Sequence, residues 1–172
     1  MKGLLLASLV IALFGCGSES GRKAATPDPQ LAAKPSSQRM YDLKDFETVN
    51  LELNGNTIKA WVADNTFKIT EGMMWLSDDE VKPDEAMLFV MPAAAPQSFW
   101  MRNTLIPLDL VFLSEQGRVL NVVQGKPLDE ATKLRSKGAA MYVIELKQGT
   151  AKRMGVSPGQ VVEIPSVIGF KG

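Results

Sequence analysis

The chain has 172 residues, with 19 Lys plus Arg against 19 Asp plus Glu, no His and a single Cys. Without an imidazole, Ser-His-Asp and Cys-His catalysis, His-ligated metal or haem and histidine pH switches are excluded within this chain, and one Cys forbids an internal disulfide. The even charge balance removes the basic excess of a nucleic-acid binder, and 45% hydrophobic residues fit a globular protein.

Behind Met1-Lys2-Gly3, residues 4–14 read LLLASLVIALF, an apolar run of 11 after one positive charge. A membrane-spanning helix needs about 20 such residues, whereas a basic start with a shorter run is the pattern of a secretory signal. The run ends in Leu13-Phe14-Gly15-Cys16. This resembles the lipobox of bacterial lipoproteins, in which a small residue precedes an invariant cysteine, with Phe14 standing where that family usually has a small side chain. The resemblance implies lipidation of the Cys16 thiol, removal of residues 1–15 as a signal peptide, and acylation of the new amine. Stable attachment takes two acyl chains, so a three-chain anchor holds a protein to a membrane without a transmembrane helix. Gly17, in place of the Asp that retains many lipoproteins at the inner membrane, directs the expectation to the cell envelope, at the outer membrane facing the periplasm. Loss of residues 1–15 takes Lys2 and no acid, leaving 18 basic against 19 acidic side chains, so no steering towards polyanions is expected.

Residues 16–39 hold the lipidated Cys16 and a stretch rich in Ser, Ala and Pro, a linker composition. A flexible tether of that length spans roughly 25 to 30 Å. Residues 40–172 suffice for a single domain with one core.

Within it, Thr48 to Leu53 and Thr57 to Val62 flank Asn54-Gly55-Asn56 and predict a hairpin. Asn65 or Thr66 caps a predicted helix through Lys68 to Leu76. Ala86 to Met91 is an apolar strand that Pro92 is expected to stop, with a loop after it. Leu108 to Leu113 and Arg118 to Val123, joined through Gly117, form the clearest hairpin, and its apolar character on both faces predicts two central strands. Residues 125–140 read as an irregular or partly helical connection, Met141 to Leu146 as a strand, and Thr150 to Met154 as a helical turn closed by Gly155. Pro158-Gly159 then turns into a strand over Gln160 to Ile164. Seven or so short strands with one or two short helices indicate an all-β fold with minor α, a sandwich or barrel.

The segment Ala86-Met-Leu-Phe-Val-Met, the run Phe99-Trp100-Met101-Arg102-Asn103-Thr104-Leu105-Ile106-Pro107-Leu108-Asp109-Leu110, Gly72-Met73-Met74 upstream and Val143-Ile144-Glu145-Leu146 downstream together resemble the bacterial and archaeal domain-of-unknown-function family 192, from about Thr57 to Ile164. The resemblance implies a compact jelly-roll-like β fold and brings no activity, cofactor or substrate. Ala86 stands where the family usually has Gly, and Gly72-Met-Met-Trp-Leu lacks an Arg common at its end, so no role of that Arg carries over.

Read as extended chain, Trp100, Arg102 and Thr104 share one face and Phe99, Met101 and Asn103 the other. One reading is structural: Trp100 and Met101 plug opposite sides of the sheet, and an Arg102–Asp109 ion pair clamps the corner before Pro107. The other makes Trp100, Arg102, Asn103 and Asp109 a ligand site, with Trp100 stacking on a sugar ring. Asp109 and Glu145 sit on otherwise apolar strand faces and need partners or an open cleft. Facing one another, they would support acid/base glycan hydrolysis. The acidic stretch at residues 78–85 lacks calcium-loop spacing, Met73-Met74 reads as core rather than copper ligands, and Lys133, Arg135 and Lys137 form a small basic stretch suited to a solvated loop or phospholipid headgroups. No metal and no cofactor is expected. The leading expectation is a lipid-anchored envelope protein with a non-catalytic β module that binds a carbohydrate or an envelope protein. The alternative is a carboxylate-dependent enzyme on envelope polysaccharide using Asp109 and Glu145.

Overall fold

The computed structural model describes residues 36–172, so the expected signal peptide, Cys16 and most of the expected linker lie outside the described residues. Among the described residues, no helix is long and apolar enough to cross a membrane. Six strands form one mixed sheet, β1 (Thr48–Leu53), β2 (Asn56–Ala63), β3 (Glu85–Phe99), β4 (Leu108–Leu113), β5 (Val119–Gly125) and β6 (Leu134–Lys147), in the order β1-β2-β3-β6-β4-β5. With two short helices, α1 (Thr66–Glu71) and α2 (Thr150–Arg153), this is the expected all-β fold with minor α. The sheet does not close into a barrel, because β1 and β5 remain its two edges.

Every pairing is antiparallel except β2 with β3. A parallel pair needs a crossover connection, and residues 64–84 supply it, carrying α1 and the Gly72–Leu76 loop across one face. Alternation along the strands then gives the sheet two apolar faces. Trp61, Met87, Phe89, Leu110, Phe112 and Val143 point to one. Val62, Leu88, Val111, Leu113, Ile144 and Leu146 point to the other. The first face is covered by residues 41–46, α1 and the loops around Met73 and Met101, the second by α2 and the chain from Val156 to Phe170. Coverage on both sides is why every residue of β4, Asp109 included, is buried.

The first hairpin forms as expected, with Asn56 already in β2 and paired with Leu53, so that Asn54-Gly55 alone make the turn. The β4–β5 hairpin also forms, but only β4 is central, whereas β5 is an edge. Gly117 is required there: its φ is +70°, and a Cβ would meet the Val162 carbonyl oxygen at 2.1 Å. Helix α1 starts as predicted, with the Asn65 side chain accepting the Phe67 and Lys68 N–H groups, but stops at Glu71 because Gly72 turns to φ +51°. Pro92 does not end β3. The strand leaves β2 after Phe89 and continues against β6 alone, with a register shift between Val90 and Ala95, so Pro92 lies at an irregularity on an edge where no ladder donor is needed. Its partner is the first half of β6, in a stretch expected to be irregular. Gln160 to Ile164 contributes a single bridge, Arg118 with Val161, instead of a seventh strand.

Candidate functional site

On the first face, between α1, the far half of β3 and Lys133, lies a cleft of about 370 Å³ lined by Ile69, Thr70, Met91, Ser98, Trp100 and Lys133 among others. Its surface is mainly apolar, and its volume lies in the range of small-molecule sites. Trp100 stands at the mouth and keeps 40% of its surface exposed. Lys133 Nζ lies 4.9 Å and the Arg102 guanidinium 5.7 Å from its ring centroid, within cation–π range. Beside the cleft lies a second, small cavity of about 30 Å³ that shares Ile69, Thr70, Phe99 and Trp100 with it and is also lined by Gly72, Phe89, Thr104 and Glu145. That is room for a water or the tip of a ligand group. Phe99 forms its wall, held edge-on between Phe89 and Phe112 at centroid distances of 5.2 and 5.8 Å.

Glu145 lines this small cavity. One carboxyl oxygen accepts the Met73 N–H, while Oε2 is buried with no hydrogen-bond partner. Burial raises its pKa from 4.5 to about 8, against the Met73 N–H and the nearby positive charge of Arg39, which both act to lower it. The carboxyl is therefore protonated at neutral pH and able to donate a hydrogen bond.

Gly72, Met73 and Met74 line the small cavity, and the Gly72–Trp75 loop that carries them is fixed from two sides. Arg39 donates from its guanidinium to the carbonyls of Gly72, at 3.1 Å, and Met74, from Nε to Tyr41 O at 3.0 Å, and is paired with Glu71 at 3.3 Å. From the other side, Trp75 N–H donates to Asn103 O at 2.8 Å. Trp75 and Asn103 both have positive φ, 63° and 55°, as has Leu128 at 59°, whose N–H donates to Thr104 O. Asn tolerates that region, but for Trp and Leu it costs roughly 1 to 2 kcal/mol each. The strain is concentrated around this corner.

The residues singled out in the sequence fall into two groups. Trp100 and Arg102 lie together at the mouth, and Asn103 holds the Gly72–Trp75 loop through its backbone, its side-chain amide lying 4.0 Å from Met74 Sδ. Met101 is buried as expected, but the chain leaves β3 at Phe99, so the extended alternation through Thr104 does not apply. Asp109 is elsewhere. In the β4–β6 register it opposes Leu146, whereas Glu145 opposes Leu110, which puts the two carboxylates on opposite faces of the sheet. A hydrolytic pair between them does not form. Nor does an Arg102–Asp109 ion pair: Asp109 Oδ1 accepts from Gln124 Nε2 at 3.2 Å and Oδ2 from the Ala151 N–H at 3.0 Å, while Arg102 is exposed over Trp100. Asp109 therefore ties α2 to the sheet. Asp109→Ala should cost about 1 to 3 kcal/mol in urea unfolding while leaving the Trp100 indole resonance unmoved.

Four contributors had no clear signal in the sequence. Arg39 lies in the linker-like stretch, Ile69 and Thr70 read only as helix, and Lys133 as one of three basic loop residues. A groove of about 590 Å³ on the opposite face, between β1, the β4–β5 turn and residues 161–166, is larger, but its acids Glu52, Glu115 and Glu163 are exposed and make no convergent set. No group of three or more His, Cys, Asp or Glu among the described residues is arranged to hold a metal ion.

The family DUF192, described as "Uncharacterized ACR", matches residues 49–164. Two crystal structures are similar in fold and sequence. One, a proposed transcription regulator from Sinorhizobium meliloti 1021, is 31% identical with a TM-score of 0.62, over 69% of this chain and 94% of that one. The other, a protein of unknown function from Novosphingobium aromaticivorans DSM 12444, is 30% identical with a TM-score of 0.64, over 82% of this chain and all of that one. No curated protein matches.

Proposed function

The chain belongs to the uncharacterised DUF192 family, which brings no activity with it, and from its own geometry we propose that it is a non-catalytic binding module of the cell envelope that takes a small carbohydrate acid in the cleft beside Trp100. The observation that carries this reading is the mouth of that cleft, where an accessible indole stands among apolar walls with Lys133 and Arg102 beside it. An indole face suits the apolar side of a sugar ring, and the two cations suit a carboxylate on it. The strained corner behind the indole favours the same place, because such strain gathers where a binding wall must be held.

Catalysis lacks a pair of groups here. Glu71, the other acid on the inner cavity, is committed to Arg39 and to the Met40 and Tyr41 N–H groups. Lipidated Cys16 and the following linker would hold the module about 25 to 30 Å from a membrane, facing the periplasm. Cys16→Ser should release the protein from the membrane fraction or leave it unprocessed, and normal processing with unchanged fractionation would refute the anchor.

The binding claim is tested by titrating the purified protein with glucuronate and, separately, glucose while following the Trp100 indole N–H by NMR. Glucuronate should shift it saturably and bind about 3-fold more tightly than glucose, a difference that Lys133→Ala removes, the order expected for an exposed ion pair. An indole resonance that neither sugar moves would end this reading.

A further inference from the structure

Among the described residues lining the two cavities, Glu145 is the one with a buried side-chain oxygen that has no hydrogen-bond partner. It lies on an apolar strand face of the core, 5% exposed, with one oxygen held by the Met73 N–H and Oε2 without a partner. An unsatisfied buried polar atom costs about 1 to 3 kcal/mol. Nothing about the packing demands an acid there: its strand neighbour Val143 on the same face is aliphatic and packs in the core. Gly72 leaves the space beside the buried carboxyl free of a side chain. A Cβ at that position would lie 3.1 Å from the Phe89 ring and 3.6 Å from Oε2, filling part of the small cavity that Gly72 and Glu145 both line.

Resting on the binding reading above, we propose that Glu145 selects the ligand: its carboxyl, on the small inner cavity, donates a hydrogen bond to a neutral carbonyl oxygen, so that the ligand is an N-acylated sugar whose ring lies at Trp100 and whose acyl arm enters the space lined by Gly72, Phe99, Thr104 and Glu145. The shape agrees. The larger cleft takes a ring and the small cavity beside it takes only a short, flat substituent. The chemistry agrees as well, because an acetamido group carries a methyl for the aromatic walls and a carbonyl for the acid. A ligand carboxylate would fit the mouth, where Lys133 and Arg102 lie, and not the small cavity.

Protonation of Glu145 then governs binding, since an ionised carboxylate can only accept. The charges that bear on it are Arg39, which favours ionisation, and beyond it Glu71, Glu80 and Asp42, which act on Arg39. Of these, Glu71 also lines the inner cavity.

The test compares N-acetylglucosamine with glucose, both uncharged, in the purified protein, with the Trp100 indole N–H as readout. At neutral pH the wild type should bind N-acetylglucosamine about 5- to 10-fold more tightly, the worth of one net hydrogen bond, and this preference should fade above pH 8. Glu145→Gln, which keeps a neutral donor, should retain the preference and make it independent of pH. Glu145→Leu should abolish it. Equal affinity for the two sugars in the wild type, or a preference that survives Glu145→Leu, overturns the proposal while leaving the cleft as a sugar site. An indole that neither sugar moves overturns the binding reading and this inference with it.

Discussion

At pH 8 the Glu145→Gln variant should resist urea better than the wild type, by roughly 3 to 5 kcal/mol, whereas near pH 4 the two should unfold together. The sign follows from where the proton sits. In the folded chain burial lifts the Glu145 pKa to about 8, and in the unfolded chain it returns to its ordinary 4.5. Between those values the folded state holds a proton that the unfolded state has released, so stability falls as pH rises. What Glu145 contributes is fully present below 4.5 and is lost by about 8. At 1.36 kcal/mol per unit of pKa the whole swing is roughly 5 kcal/mol. Gln has the shape of the neutral acid and does not titrate, so the difference between the two chains isolates this one group from every other carboxylate. Urea midpoints measured across that window check it, and parallel curves for the two proteins would mean that Glu145 is ionised or solvated in the folded state.

Arg39→Ala should cost about 3 kcal/mol, a large effect for a residue at the end of a linker. Its guanidinium is buried against the domain, and its loss strands the carbonyls of Gly72 and Met74 and the partly buried Glu71 carboxylate. Breaking a buried pair from one side typically costs 3 to 5 kcal/mol, and the value here sits at the low end because Glu71 keeps the Met40 and Tyr41 N–H groups. The Gly72–Trp75 loop should also loosen, visible as faster amide exchange at Trp75, whose N–H donates to Asn103 across the corner. Since that loop lines the small cavity, sugar binding should weaken together with stability. An Arg39→Ala protein with unchanged urea midpoint and unchanged exchange at Trp75 would show that the arm before Met40 is not part of the domain.

Strands whose side chains alternate or run apolar between clear turns were legible from sequence: β1, β2 and β4 appear with the expected limits to within a residue or two, and Gly117 and Gly155 turn as foreseen. What local signals could not supply was tertiary pairing. Pro92 and the Ala-rich run after it read as a stop, yet β6 offers a partner on one side only and no donor is missed at the proline. The carboxylates show the same limit. Asp109 and Glu145 were recognisable as acids on apolar strand faces, but a face is relative to the strand, and only the register of β4 against β6 sends them to opposite sides of the sheet. Trp100 was legible as a ligand candidate because of its motif. Lys133, Ile69 and Thr70 were not, because they come to it from elements about 30 residues away on either side, and Arg39 was hidden in a segment whose composition is that of a tether.

The most direct measurement is the titration of the Glu145 side-chain carboxyl by carbon-detected NMR, without and with saturating N-acetylglucosamine. The midpoint should lie near 8 in the free protein and higher with the sugar bound, because a ligand that accepts the carboxyl proton holds it in place. A midpoint near 4.5, or one that the bound sugar leaves where it was, would contradict it.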